Sequence, residues 1–166
     1  MVSDIDEKGG QETAQAIKDG NGEAIFICAD VSNAKDCQEL VEATMENYGQ
    51  LDIAFNNAGT GGEANPTADY SIENWQKVIG VNLSSVFYCM KYEIPAMLKA
   101  GGGAIVNMAS MLEENTTVRD HLISLQPIGR LSEVEEVAEL VVWLSSDKAS
   151  FVTGAYYAID GGYLAQ

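Results

Sequence analysis

Residues 51–59 read LDIAFNNAG. Leu51, Ile53, Ala54 and Phe55 make an apolar run of strand length, and it stops at two asparagines, an alanine and a glycine, where the backbone must turn. A strand that ends this way has the tip that meets a ligand in an open parallel sheet. The pattern repeats on both sides. Residues 1–4, MVSD, read as the tail of a strand. Residues 23–32, EAIFICADVS, form a continuous apolar run ending in Asp30, as a strand buried on both faces would. Residues 101–110, GGGAIVNMAS, form a fourth strand that delivers Ser110.

Helical periods fill the intervals. The stretch EKGGQETAQAIKD runs into the stop GNG. Ser32 is placed to cap the next helix, whose Cys37, Leu40, Val41, Met45 and Tyr48 share one face before Gly49 ends it. Ser71 opens a longer helix that Pro95 disturbs near its end. Further on, Ser132 with Glu135 has the spacing of a capping box. Val134, Val137, Leu140, Val141 and Leu144 give that helix a buried stripe, and Glu133, Glu135, Glu136 and Glu139 its solvated face. GAYYAIDGG reads as a closing strand. Alternating strands and helices predict an α/β protein with a parallel sheet, and no repeat or linker divides the chain. Residues 1–166 are therefore expected to form a single domain.

Composition narrows the function. At 166 residues and 46% hydrophobic the chain is sized for one core. It has no apolar run of membrane-spanning length and no basic, apolar leader at residues 1–10, so the expectation is a cytoplasmic protein without a membrane partner. Cys28, Cys37 and Cys89 are odd in number and form no CxxC, which suits reduced, mostly buried thiols. His121 is the only histidine, so no metal site is expected. A formal charge of −16 argues against nucleic acid and against anionic membranes.

Asp4, Asp30, Asn56, Asn57, Gly59 and Ser110 all fall at C-terminal ends of expected strands. Such an acid suits a ribose diol, because it accepts two hydrogen bonds and repels a 2′-phosphate. The G-x-G-x-x-A match in residues 59–64 is set aside, because Asn65 and Pro66 follow where a helix should begin. Asn82 lies in the helical stripe of Trp75, Val78, Ile79, Leu83 and Val86. An unpaired amide buried there would cost roughly 1–3 kcal/mol, so it needs partners, such as a neighbouring backbone to which it fastens the helix.

With CADVS, LDIAFNNAG, GVNLSS, GAIVNMAS and the run from PIGRLS to the final DGG in order, the chain resembles the short-chain dehydrogenase/reductase family. The resemblance implies a Rossmann-like, doubly wound parallel sheet and hydride transfer between NAD(P) and a small alcohol or ketone. It implies that Asp4 binds the adenosine ribose and favours NAD over NADP, that Asp30 and Val31 border the adenine, and that Asn57, Ala58 and Gly59 line the cofactor cleft. Ser110 would hydrogen-bond the substrate oxygen and Asn82 would serve a proton relay. A homo-oligomer is implied too.

Two departures stand beside it. The family's TGxxxGxG turn, expected ahead of Met1, is not in the sequence, and no tyrosine has a lysine four residues later. The expectation is thus a fold without the family's first strand and without the strand after its catalytic helix. The strands at residues 1–4 and 51–56 should flank a slot of two strand spacings, about 9.5 Å, and the chain should be discontinuous between Ser110 and Thr117. The 166 residues alone are expected to be inactive, representing an oxidoreductase by an incomplete sequence. The other reading is a catalytically dead fragment kept as a binding or assembly module.

Overall fold

The computed structural model describes residues 1–109 and 116–165. The chain forms two compact units, Met1–Ala109 and Ser110–Gln166. In the first, the order is β1 (Val2–Asp4), α1 (Glu7–Asp19), β2 (Phe26–Cys28), α2 (Ala34–Tyr48), β3 (Ile53–Asn56), α3 (Ile72–Ile79), a π-helical turn (Gly80–Ser84), α4 (Ser85–Ala100) and β4 (Ala104–Asn107). β1 pairs with β2 from Val2↔Phe26 to Asp4↔Cys28, and β3 with β4 from Ile53↔Ala104 to Asn56↔Asn107, both parallel. The two pairs are separate sheets. β1 and β3 do not pair, as expected of strands that flank the place of an absent one. Most of the second expected discontinuity, from residue 110 to 115, lies outside the described residues.

Local chemistry sets the helix ends. Asp6 caps α1 by accepting from the Lys8 N–H at 3.1 Å. Asn33, not Ser32, caps α2, accepting from the Lys35 N–H at 2.9 Å. Ser32 is already engaged, because its N–H and hydroxyl both donate to Asp30 Oδ1, at 2.9 and 2.7 Å. Gly49 ends α2 at φ 81°, a left-handed value that costs other residues about 1–2 kcal/mol. Ser71 caps α3 as expected, accepting from the Asn74 N–H at 3.1 Å, and Pro95 lies inside α4.

The core of this unit is made of small side chains. Ala14, Ala24, Ala29, Cys37, Cys89, Ala96 and Met97 are buried, with Thr44, Ser85 and Glu93 among them. Small residues let backbones come close: a Cβ on Gly10 of α1 would run into the ring of Phe26 on β2. Two expectations of burial fail. The run of residues 23–32 is not buried on both faces, since Ile25 is 37% exposed and Cys28 is exposed. Trp75 and Leu83, expected in a buried stripe, are 59% and 64% exposed. With only two strands per sheet, no further layer covers these faces among the described residues.

The second unit contains α5 (Thr116–Ser124) and α6 (Val134–Leu144). The capping box at α6 sits one residue later than expected, on Glu133 and Glu136 rather than Ser132 and Glu135. Val134, expected to be buried, is 77% exposed. Residues 154–162 form no strand, because backbone without a neighbouring ladder has nothing to pair with; short 3₁₀ turns at Asp147–Ala149 and Tyr163–Ala165 complete this unit. No helix among the described residues is long and apolar enough to cross a membrane.

Candidate functional site

Parallel pairing brings the C-terminal tips of β1 and β2 side by side. The Asp4 carbonyl accepts from the Ala29 N–H at 3.2 Å, so Asp4 lies next to the turn that carries Asp30 and Val31. The Asp4 side chain is exposed. Its Oδ1 accepts from the Asp6 N–H at 2.9 Å, and its other oxygen takes no hydrogen bond from a described residue. Asp30 is held more tightly. Oδ1 serves Ser32, and its own N–H donates to Asp36 Oδ2 at 3.0 Å. Its carboxylate therefore organises the turn. The Val31 carbonyl accepts from the Cys37 thiol at 3.3 Å.

A second group forms where β3 ends. Asn57, Ala58 and Gly59 are exposed, and Asn82 reaches them from the π-helical turn. Its Oδ1 accepts from the Thr60 N–H at 2.8 Å and its Nδ2 donates to the Thr60 carbonyl at 2.9 Å. Asn82 thus fastens the helix to a neighbouring backbone. It does so exposed rather than buried. π-turns insert one residue into an α-helix and recur at functional sites; here the widened turn carries Asn82. A Cβ on Gly80 would lie 3.6 Å from Ser32 Cβ, so the turn after β2 and the π-turn are neighbours and the two groups form one ridge. Ser110 lies outside the described residues.

Where β3, α4 and β4 meet is a cluster that periodicity did not single out. Asn56 Nδ2 donates to Glu93 Oε2 at 3.1 Å and to Asn107 Oδ1 at 2.9 Å, and Asn107 Nδ2 reaches Met90 Sδ at 3.5 Å. Glu93 is 6% exposed, and burial pushes its carboxyl above the usual glutamate range. The signal was present: Glu93 falls on the same helical face as Ser85, Cys89, Ala96 and Met97, an acid where a small or apolar residue is expected.

Two family models cover the chain. Residues 1–119 match the short chain dehydrogenase model, more than half of the sequence. The chain belongs to the short-chain dehydrogenases. Residues 112–164 match the enoyl-(acyl carrier protein) reductase model, so the two meet after Ser110. Cyclohexanol dehydrogenase of Acinetobacter sp. (strain SE19) is 36% identical, over 100% of this chain and 85% of the relative. That comparison spans 213 residues against the 166 here, so part of the relative has no counterpart in this chain. The 2,5-dichloro-2,5-cyclohexadiene-1,4-diol dehydrogenase of Sphingobium indicum is 30% identical, over 99% of this chain and 86% of that protein. The structure of levodione reductase superposes with a TM-score of 0.89 at 25% identity, covering 98% of this chain and 86% of the other.

As a short-chain dehydrogenase this is a nicotinamide-dependent oxidoreductase of Rossmann architecture, and the described residues fit one end of that cofactor. The unengaged Asp4 oxygen can accept from a ribose hydroxyl, and a Cβ on Gly59 would have no heavy atom closer than 3.8 Å. The Lys8 N–H at the start of α1 is taken by the Asp6 carboxylate, so this helix end offers no phosphate site.

Proposed function

We propose that this short-chain dehydrogenase is NAD-dependent, acts on a small secondary alcohol or its ketone, and is a homo-oligomer of the cytoplasm. Residues 1–166 are read as one incomplete dinucleotide-binding domain. In this reading Asp4 takes the adenosine ribose, Asp30 and Val31 border the adenine, and Asn57, Ala58 and Gly59 line the cleft. Ser110 holds the substrate oxygen and Asn82 belongs to the proton relay. The substrate class follows the relatives, named for cyclohexanol and for a cyclohexadiene diol, so cyclohexanol is the first substrate to test. The 166-residue chain itself does not turn over. It has no Tyr-x-x-x-Lys to move the proton, and that role is worth roughly 10² to 10⁴ in rate.

The observation that supports the cofactor assignment is the exposed Asp4 carboxylate at the tip of β1 with one oxygen unengaged. A 2′-phosphate there would be a like-charge contact. Titration calorimetry with adenosine 5′-monophosphate and its 2′-phosphorylated counterpart tests it. The first should bind more tightly, and Asp4→Ala should narrow the difference. Tighter binding of the 2′-phosphorylated probe by the unmodified chain would overturn the assignment. In the same preparation, NAD reduction with cyclohexanol should stay at background. Turnover abolished by Ser110→Ala would reveal a substitute proton donor.

A further inference from the structure

Cys37 on α2 and Cys89 on α4 face each other where these helices pack. Both are buried, at 1% and 7% exposure, and the Cys89 thiol donates to Cys37 Sγ at 3.7 Å. A disulfide needs about 2.05 Å between the sulfurs. From 3.7 Å, closure asks the two sulfurs to approach by about 1.7 Å. We propose that Cys37 and Cys89 are a redox-sensitive pair that closes into an intramolecular disulfide, joining α2 to α4, when the protein meets a peroxide.

The two sulfurs are not equivalent, and the difference assigns their parts. The Cys89 S–H is directed at Cys37 Sγ, a donor that favours a thiolate there, and the thiolate is the nucleophile, so Cys37 takes the part of the attacking sulfur. Its sulfur attacks one peroxide oxygen; the O–O bond breaks, an S–O bond forms, and the departing oxygen leaves as water with the Cys37 proton. Cys89 then attacks the Cys37 sulfur. The S–S bond forms, the S–O bond breaks, and a second water leaves with the Cys89 proton. Two thiols are oxidised and one peroxide is reduced to two waters. Closure also removes the S–H that Cys37 gives the Val31 carbonyl, so oxidation loosens the turn after β2 as it ties the helices.

Cys28 is exposed and would blur the measurement, so the test uses Cys28→Ser. The folded protein is treated with hydrogen peroxide, quenched, unfolded, alkylated and weighed. Two reactive thiols should fall to none and the mass should drop by two hydrogens. Peptides containing Cys37 and Cys89 should be joined within a monomer, and a dithiol should reverse the change. Adding Cys89→Ser should leave Cys37 one oxygen heavier instead. The proposal is overturned if both thiols survive a dose that oxidises the urea-unfolded protein. A gain of oxygen without a link in Cys28→Ser, or a link between chains, would overturn it equally.

Discussion

Glu93 is a carboxylic acid set among small side chains, and its one hydrogen-bond donor among the described residues is Asn56. Burial raises its pKa in the folded protein, so between the unfolded and folded values the native state holds a proton that the unfolded chain has released. Stability then falls as pH rises from the ordinary glutamate range through the raised value, and levels off above it. Glu93→Gln keeps an acceptor for Asn56 and removes the titration. It should be more stable than the parent at mildly alkaline pH and flatten that slope, as read by urea unfolding across pH. Asn56→Ala should cost about 1–3 kcal/mol in the same assay, because it leaves a buried acid without its donor. If Glu93→Gln left the slope unchanged, the acid would have to be solvated. This cluster was hard to read in the sequence because Asn56, Glu93 and Asn107 come from three separate elements. Asn82, by contrast, stood out as an amide at helical spacing; it pairs with the Thr60 backbone as expected, but from an exposed position, so the burial that was expected to demand those partners is absent.

Helix α6 is held at its start by charge. Arg130 grips Glu136 with both guanidinium nitrogens, each at 2.7 Å, and Glu136 Oε2 also accepts from the Glu133 N–H at 2.8 Å. The Arg130 bond comes first in holding the Glu136 carboxyl down to about 2. A depressed carboxylate supports the fold above its unfolded pKa and loses that support as pH falls through the folded value. The loss should therefore run from the ordinary glutamate range down to about 2. Arg130→Ala should return the Glu136 carbon shift titration toward the ordinary range and fray α6 at higher pH. Arg130→Lys should recover only part, since a point charge cannot grip two oxygens. An unchanged Glu136 titration in Arg130→Ala would remove the arginine from this account.

The same helix shows what a sequence pattern can carry. Its apolar period and acidic face fixed its presence, and α1 occupies the stretch EKGGQETAQAIKD that was expected. The cap slipped by one residue, because neighbouring Ser132 and Glu133 offer competing spacings. The closing strand failed for a different reason. The apolar run in GAYYAIDGG is compatible with a strand, but a strand exists only with a partner.

The two units should differ in stability. The first holds both strand pairs and nearly all the buried side chains; in the second, Ala149 is the one buried apolar residue among those described. Each contains one of the two tryptophans, Trp75 in the first and Trp143 in the second, where Trp143 lies edge-on to Tyr157 with ring centroids 6.3 Å apart. Single-tryptophan variants, Trp75→Phe and Trp143→Phe, therefore report on one unit each. Urea unfolding followed by fluorescence should give non-coincident transitions, with the second unit losing structure first. Coincident midpoints would show that the chain unfolds as one body. The class of fold was legible because strand tips repeat the same punctuation. The exposure of Trp75, Leu83 and Val134 was not, because periodicity marks a face as apolar without saying whether anything lies against it.

The two parallel pairs also set a timetable for synthesis. Val2↔Phe26 closes a loop around α1 alone, whereas Ile53↔Ala104 closes one about twice as long, around α3, the π-turn and α4. Doubling a loop adds only about 0.6 kcal/mol of closure entropy, so the difference at equilibrium is small. On the ribosome it is larger. At roughly 5–20 residues per second, the β1–α1–β2 module is complete seconds before Ala104 has been made. During that interval β3 has been translated but its partner β4 has not, and its Ile53 and Phe55, 50% and 42% exposed even in the finished fold, are open to a chaperone.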